Sequence, residues 1–121
     1  MGRTHGAAGR LCIREMEAFA TAEEAWFWYA RCQIARDEGV RFTAGLGAVA
    51  RPCEPDDIVR EVRRLHRANM LRSAHLRVLG RFGHRLSPPN PHGDDSPAEA
   101  GLWEEALDRL TTPLRHKGIV A

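Results

Sequence analysis

Apolar residues recur at helical spacing in several separate stretches of the chain, and Gly- and Pro-containing segments divide them. The clearest is Trp103, Ala106, Leu107, Leu110 and Leu114, which lie at i, i+3, i+4, i+7 and i+11. It opens on Ser96-Pro97-Ala98-Glu99, an N-cap, a proline for the first helical position and a capping glutamate. Pro113 should kink or end this helix, with Gly118 as the last stop. Upstream, Ile58, Val62 and Leu65 form the stripe of a helix that starts at Pro55, where Asp56 and Asp57 suit the positive end of the helix dipole. That helix frays near Asn69-Met70. Ser73 is placed to cap a shorter helix facing inward with Leu76, Leu79 and Phe82, weakened by Gly80 and ended by Gly83.

Thr21 to Glu38 reads as a further helix, with Thr21 and Glu24 as a capping box and Gly39 as its stop. Its pattern is unusual. Trp26, Phe27, Trp28 and Tyr29 are consecutive and therefore point around most of the helix circumference. Such a helix is either the centre of a bundle or part of an interface, and Trp26, Trp28 and Tyr29 are the candidates for a protein partner or homodimer contact. Residues 40–52 lack helical period and read as loop; their Gly-Leu-Gly has neither the Lys nor the frame of a phosphate loop. Residues 87–95 (SPPNPHGDD) cannot be helix and read as a surface linker.

The expected architecture is all-α, with four to five helices in a small bundle. A helix-turn-helix-like pair spans about 55–84 and a Pro-rich linker precedes the C-terminal helix. Residues 1–13 read as a flexible basic N-terminal arm, and 14–121 as a single helical domain.

Composition bounds the function. A hydrophobic content of 43% and a charged content of 28% exclude collagenous and disordered classes. There is no apolar run of about 18 residues, so no membrane span is expected, and the arginine-bearing start lacks the apolar core of a secretory signal. A cytoplasmic helical protein is the expectation. Of 18 basic residues, 17 are Arg and one is Lys117, in a chain also rich in Ala, Gly and Pro, so GC-rich coding explains the choice of Arg. It does not explain the placement. Residues 58–86 carry eight arginines against Glu61 alone, a balance of +7 within a chain whose net charge is +2.

Arg60, Arg63, Arg64 and Arg67 cluster within about 100° of arc, opposite the apolar stripe. Arg77 and Arg81 repeat at i, i+4 on the next helix, with Arg85 beyond and Arg72 in the turn. Like charges on one face weaken a helix by about a few tenths of a kcal/mol per pair, so a compensating partner is expected. One candidate is internal, a salt-bridge layer with Glu104, Glu105 and Asp108. The other is the phosphate backbone of double-stranded DNA, which the guanidinium fork binds in a bidentate way. In the DNA reading the four stripe arginines hold phosphates while Ser73, His75 and Arg77 approach base edges. The chain is then a small DNA-binding protein, a transcription regulator; the alternative is a non-catalytic helical adaptor working through the aromatic helix.

Residues 71–83 (LRSAHLRVLGRFG) resemble the first helix of sigma-factor-like DNA-binding domains. The recognition helix that should follow is replaced by the Pro-rich stretch, so the resemblance assigns no family.

Catalytic and cofactor signals are weak. Cys12, Cys32 and Cys53 form no CxxC pair and read as reduced thiols. His84 and His92 are the one histidine pair worth naming for a metal, and nothing else completes such a site. Cys53, just before a helix start whose dipole should lower its pKa, is the one candidate nucleophile, but no base is placed beside it. No enzyme activity, metal or cofactor is expected.

Overall fold

The computed structural model describes residues 16–39 and 49–121. Among these residues the chain is all-helical, with α1 Ala22–Asp37, α2 Pro55–Arg67, α3 Ser73–Arg85 and α4 Pro97–His116, and no strand. The segments read as the N-terminal arm and most of the 40–52 loop lie outside the described residues.

The helix starts follow their capping chemistry. Thr21 Oγ1 accepts the Glu24 N–H at 3.1 Å, and the Glu24 carboxylate reaches back to the Ala20 N–H at 2.7 Å. Pro55 stands at the start of α2, and Asp57 accepts the N–H of the preceding Glu54 at 2.8 Å. Ser96 Oγ accepts the Glu99 N–H at the head of α4. The head of α3 differs from expectation: Ser73 is the first helical residue and Arg72 is the N-cap. His75 does the capping, its Nδ1 accepting the Arg72 N–H at 3.0 Å.

Both helix breaks expected inside elements are absent. α4 runs through Pro113 to His116, because a proline four residues from the end removes only one late hydrogen bond. The chain then reverses at Gly118, with φ of 78°, and the Ile119 N–H returns to the Leu114 carbonyl. α3 likewise continues through Gly83 to Arg85, and Leu86 takes the left-handed cap with φ of 59°.

Gly83 serves packing instead. Its α-hydrogens face α1, where the Trp26 indole Nε1 lies 2.8 Å from the place a Cβ would occupy. The indole N–H donates to the Leu79 carbonyl at 2.9 Å, one turn back on the same face of α3. A side chain at 83 would cover the carbonyl the indole needs.

α1 packs against all three other helices, and α4 does the same, whereas α2 and α3 rest on α1 and α4 with little direct contact between themselves. The central position of α1 explains its four aromatics. Trp26 meets Tyr29 at 4.9 Å between ring centroids, Phe27 meets Trp103 at 5.5 Å, and Trp28 meets Phe19 at 5.2 Å. Trp26 and Tyr29 pair within α1 while Phe27 and Trp28 reach separate partners, and Glu24 and Arg31 keep one side of the helix exposed.

Residues 16–20 are extended, not a forward extension of α1. The Phe19 N–H donates to the Ile119 carbonyl, and the Ala121 N–H to the Phe19 carbonyl, each at 2.9 Å. Phe19, fully buried, is thereby fastened to the end of the chain, and the Arg51 guanidinium sits 4.2 Å from its ring centroid.

Two helical glycines should therefore respond oppositely to alanine. Gly83→Ala should destabilise the protein by about 1–3 kcal/mol, the range for overpacking. Gly80→Ala, where an added Cβ meets nothing within 4 Å, should stabilise it by about 0.5–1 kcal/mol. Urea unfolding of the two variants tests this; equal effects would contradict the packing role of Gly83.

Candidate nucleic-acid interface

The buried residues of α2 include Ile58, Glu61, Val62 and Leu65, so the helix turns Arg60, Arg63, Arg64 and Arg67 outward, all exposed. The expected salt-bridge layer with α4 does not form: none of the four bonds to Glu104, Glu105 or Asp108. Arg60 pairs with Asp57 at 2.8 Å and Arg64 with Glu61 at 2.9 Å, both within α2. Arg63 and Arg67 make no ion pair or hydrogen bond among the described residues. The pairings are light. The Arg60 side chain stays 67% exposed and that of Arg64 52%, a range in which surface pairs contribute about 0–1 kcal/mol.

Glu61, the lone acid of the basic segment, has a different role from the one charge counting gives it. Its side chain is only 4% exposed, and it accepts Arg64 Nε at 2.9 Å and Lys117 Nζ at 3.3 Å. The single lysine of the chain thus ties the end of α4 to α2 through a buried carboxylate. Sequence spacing carried this signal, because Ile58, Glu61, Val62 and Leu65 occupy i, i+3, i+4 and i+7, a core stripe with an acid in it.

α3 divides its expected contact residues. Ser73 and Arg77 are exposed and unbonded among the described residues, and the Arg72 side chain is exposed in the turn. His75 is fully buried, which removes it from any base edge. Because Nδ1 accepts the Arg72 N–H, the ring proton is on Nε2, which donates to Glu105 Oε1 at 2.9 Å. That bond holds the Glu105 carboxyl below its ordinary pKa. His75, Val78, Leu79 and Phe82 again form an i, i+3, i+4, i+7 core stripe with one polar member.

Arg81 and Arg85 are committed inward. Arg85 grips Asp95 with two nitrogens, at 3.2 and 2.9 Å, and donates to the Pro88 carbonyl and Ser87 Oγ. Arg81 pairs with Glu99 and lies 3.8 Å from Asp95. Asp95 also accepts the Asn90 N–H at 2.7 Å. The Pro-rich stretch is thus tied at both ends to α3. No family model matches the chain, and no curated protein or solved structure matches it either.

The aromatic contact residues are likewise spent largely on the core: Trp26 is buried, and Trp28 and Tyr29 are half-buried. Tyr29 and Trp26 do line a groove of about 270 Å³ between α1 and α3, with Leu76, Gly80 and His84 on its other side.

At Cys53 the expected lowering of the thiol pKa by the helix dipole does not hold. Burial first, then the nearby Asp57 and Glu54 carboxylates, push its thiol up to about 11, outweighing any help from the helix dipole. Among the described residues no group of three His, Cys, Asp or Glu side chains is gathered to hold a metal, so His84 and His92 are not brought into such a cluster. No helix among the described residues is long and apolar enough to cross a membrane.

The Arg85 grip, with the Asn90 N–H, lowers Asp95 to about 2 from an ordinary 3.8. A carboxyl whose pKa falls on folding stabilises the fold above its unfolded value and loses that contribution as pH drops through the folded one. The 86–96 loop should therefore loosen between about pH 4 and pH 2, seen as lower amide protection at Asn90 and Asp95 after correction for the intrinsic exchange rate at each pH. Asp95→Asn should show that low protection already at pH 7, with little further loss of protection on acidification. A wild-type loop indifferent to pH in that window would contradict the clamp.

Proposed function

We propose that the chain is a small DNA-binding protein, a transcription regulator in class, that grips duplex phosphates with the outer face of α2. The observation that carries this reading is the state of the stripe. Arg60, Arg63, Arg64 and Arg67 share one exposed face, two have no partner among the described residues, and two are held only by carboxylates of their own helix. A fold that needed this charge internally would have matched it with α4, whose Glu104 and Asp108 make no such bond. Phosphates satisfy the stripe without further rearrangement, since a guanidinium pairing through one edge leaves another free. Arg72 and Arg77 extend the surface to the start of α3. Groove reading by α3 narrows to Ser73 and Arg77, because His75 caps the helix from inside and Arg81 and Arg85 hold the following loop. Affinity in this reading is mostly electrostatic and only weakly sequence-selective.

A helical adaptor acting through α1 is the second reading, favoured by the groove beside Tyr29. It requires a protein partner that Tyr29→Ala loses and the α2 arginine variants retain.

Mobility-shift titration across a salt series tests the first reading. If five or six phosphates are neutralised, log affinity should fall against log salt with a slope of about −4 to −6. Replacing Arg63 and Arg67 together with alanine should flatten that slope by about 2 and weaken all duplexes alike. Absence of binding at about 50 mM salt, where screening is slight, would overturn the reading.

A further inference from the structure

A cleft of about 690 Å³ lies between α2 and the C-terminal half of α4. One wall is apolar: Pro113 and Met70, a residue 48% exposed despite its size, over the buried Leu65. The other brings together Arg64, Lys117 and His116. We propose that this cleft binds a small phosphate monoester carrying an apolar organic group, at a site distinct from the duplex-binding face but sharing Arg64 with it.

The arrangement of Glu61 makes the cationic wall a fixed one. Its buried carboxylate takes Arg64 through Nε and Lys117 through Nζ, which orients both cations from beneath. Arg64 keeps its two terminal amino groups unbonded among the described residues, the edge that matches a pair of phosphate oxygens. Lys117 has further N–H groups unspent, its side chain 51% exposed, and exposed His116 adds a donor. Because Glu61 is already doubly paired, its single charge offsets about one of the two cations and leaves the trio net positive toward the cleft. Asp108 is the lining carboxylate with no cation on it among the described residues, and it opposes an anion. A monoester phosphate, with a second pKa of about 6, is close to a dianion at pH 8, so it presents about twice the charge of a carboxylate to the two cations. Met70 and Pro113 give an apolar substituent a surface to cover, and covering it removes Met70 from water.

The test uses the full chain and phenyl phosphate at pH 8, followed by amide chemical shifts, with inorganic phosphate, benzoate and phenol as comparison probes. Phenyl phosphate should give saturable shifts confined to residues 61–70 and 108–117, with a Kd below about 1 mM. Inorganic phosphate and benzoate should bind at least about threefold more weakly and phenol not measurably, since each lacks one half of the recognition. Arg64→Gln and His116→Gln should each weaken phenyl phosphate by about threefold or more, and Asp108→Asn should tighten it by about twofold. His116 and Asp108 are exposed and unpartnered among the described residues, so their variants report the site without disturbing the fold. Shifts that stay linear to about 10 mM, that map elsewhere, or that respond to none of the three substitutions would overturn the proposal. No nucleic acid enters this experiment, so its outcome is separate from that of the salt titration.

Discussion

The bond from the Trp26 indole to the Leu79 carbonyl sets how closely α1 and α3 approach, and most of the fold is arranged around it. A helical carbonyl is ordinarily screened by side chains of its own helix. Here Gly83 leaves it open, so a large ring can lie against the α3 backbone and satisfy its one polar atom at the same time. With Trp26 turned that way, Phe27 is directed to Trp103 and Trp28 to Phe19, because consecutive helical residues have no freedom to choose otherwise. The aromatic block that looks excessive for one helix is what a helix packed against all three others uses.

Charge follows a second constraint, that a buried carboxylate needs cations around it. Glu61 and Asp95 are the two such acids among the described residues, and between them they take Arg64, Lys117, Arg81 and Arg85. The central arginines are therefore of two kinds. Those near a buried acid hold the loop after α3 and the end of α4 in place. Arg63, Arg67 and Arg77, with no such acid nearby, are left for solvent or a partner.

Legibility divides along the same line. The four helices could be read because their stripes and caps are local: Thr21, Pro55 and Ser96 stand at or beside the ends the structure uses. The buried Glu61 and His75 were also readable in principle, since each completes a core stripe. They were misplaced because residue type was weighed above position. Gly83 misled for the opposite reason. A glycine near a helix end is ordinarily a stop, and only an indole arriving from α1 makes it a packing residue. Asp95 lies in a stretch with no period, so no local pattern connects it to Arg85. Nor does anything local announce that Phe19 will be fastened to Ile119 and Ala121.

By itself the amino-acid sequence determined the helical class, the four starts and the crowding of arginine onto one face of α2, because periodicity and capping act over a few residues. Tertiary structure decided which of those arginines are occupied, that His75 faces inward, and that α1 and α4 each pack against all the other helices. Those outcomes depend on which distant group arrives within about 3 Å, and a chain encodes that only through the packing of the whole.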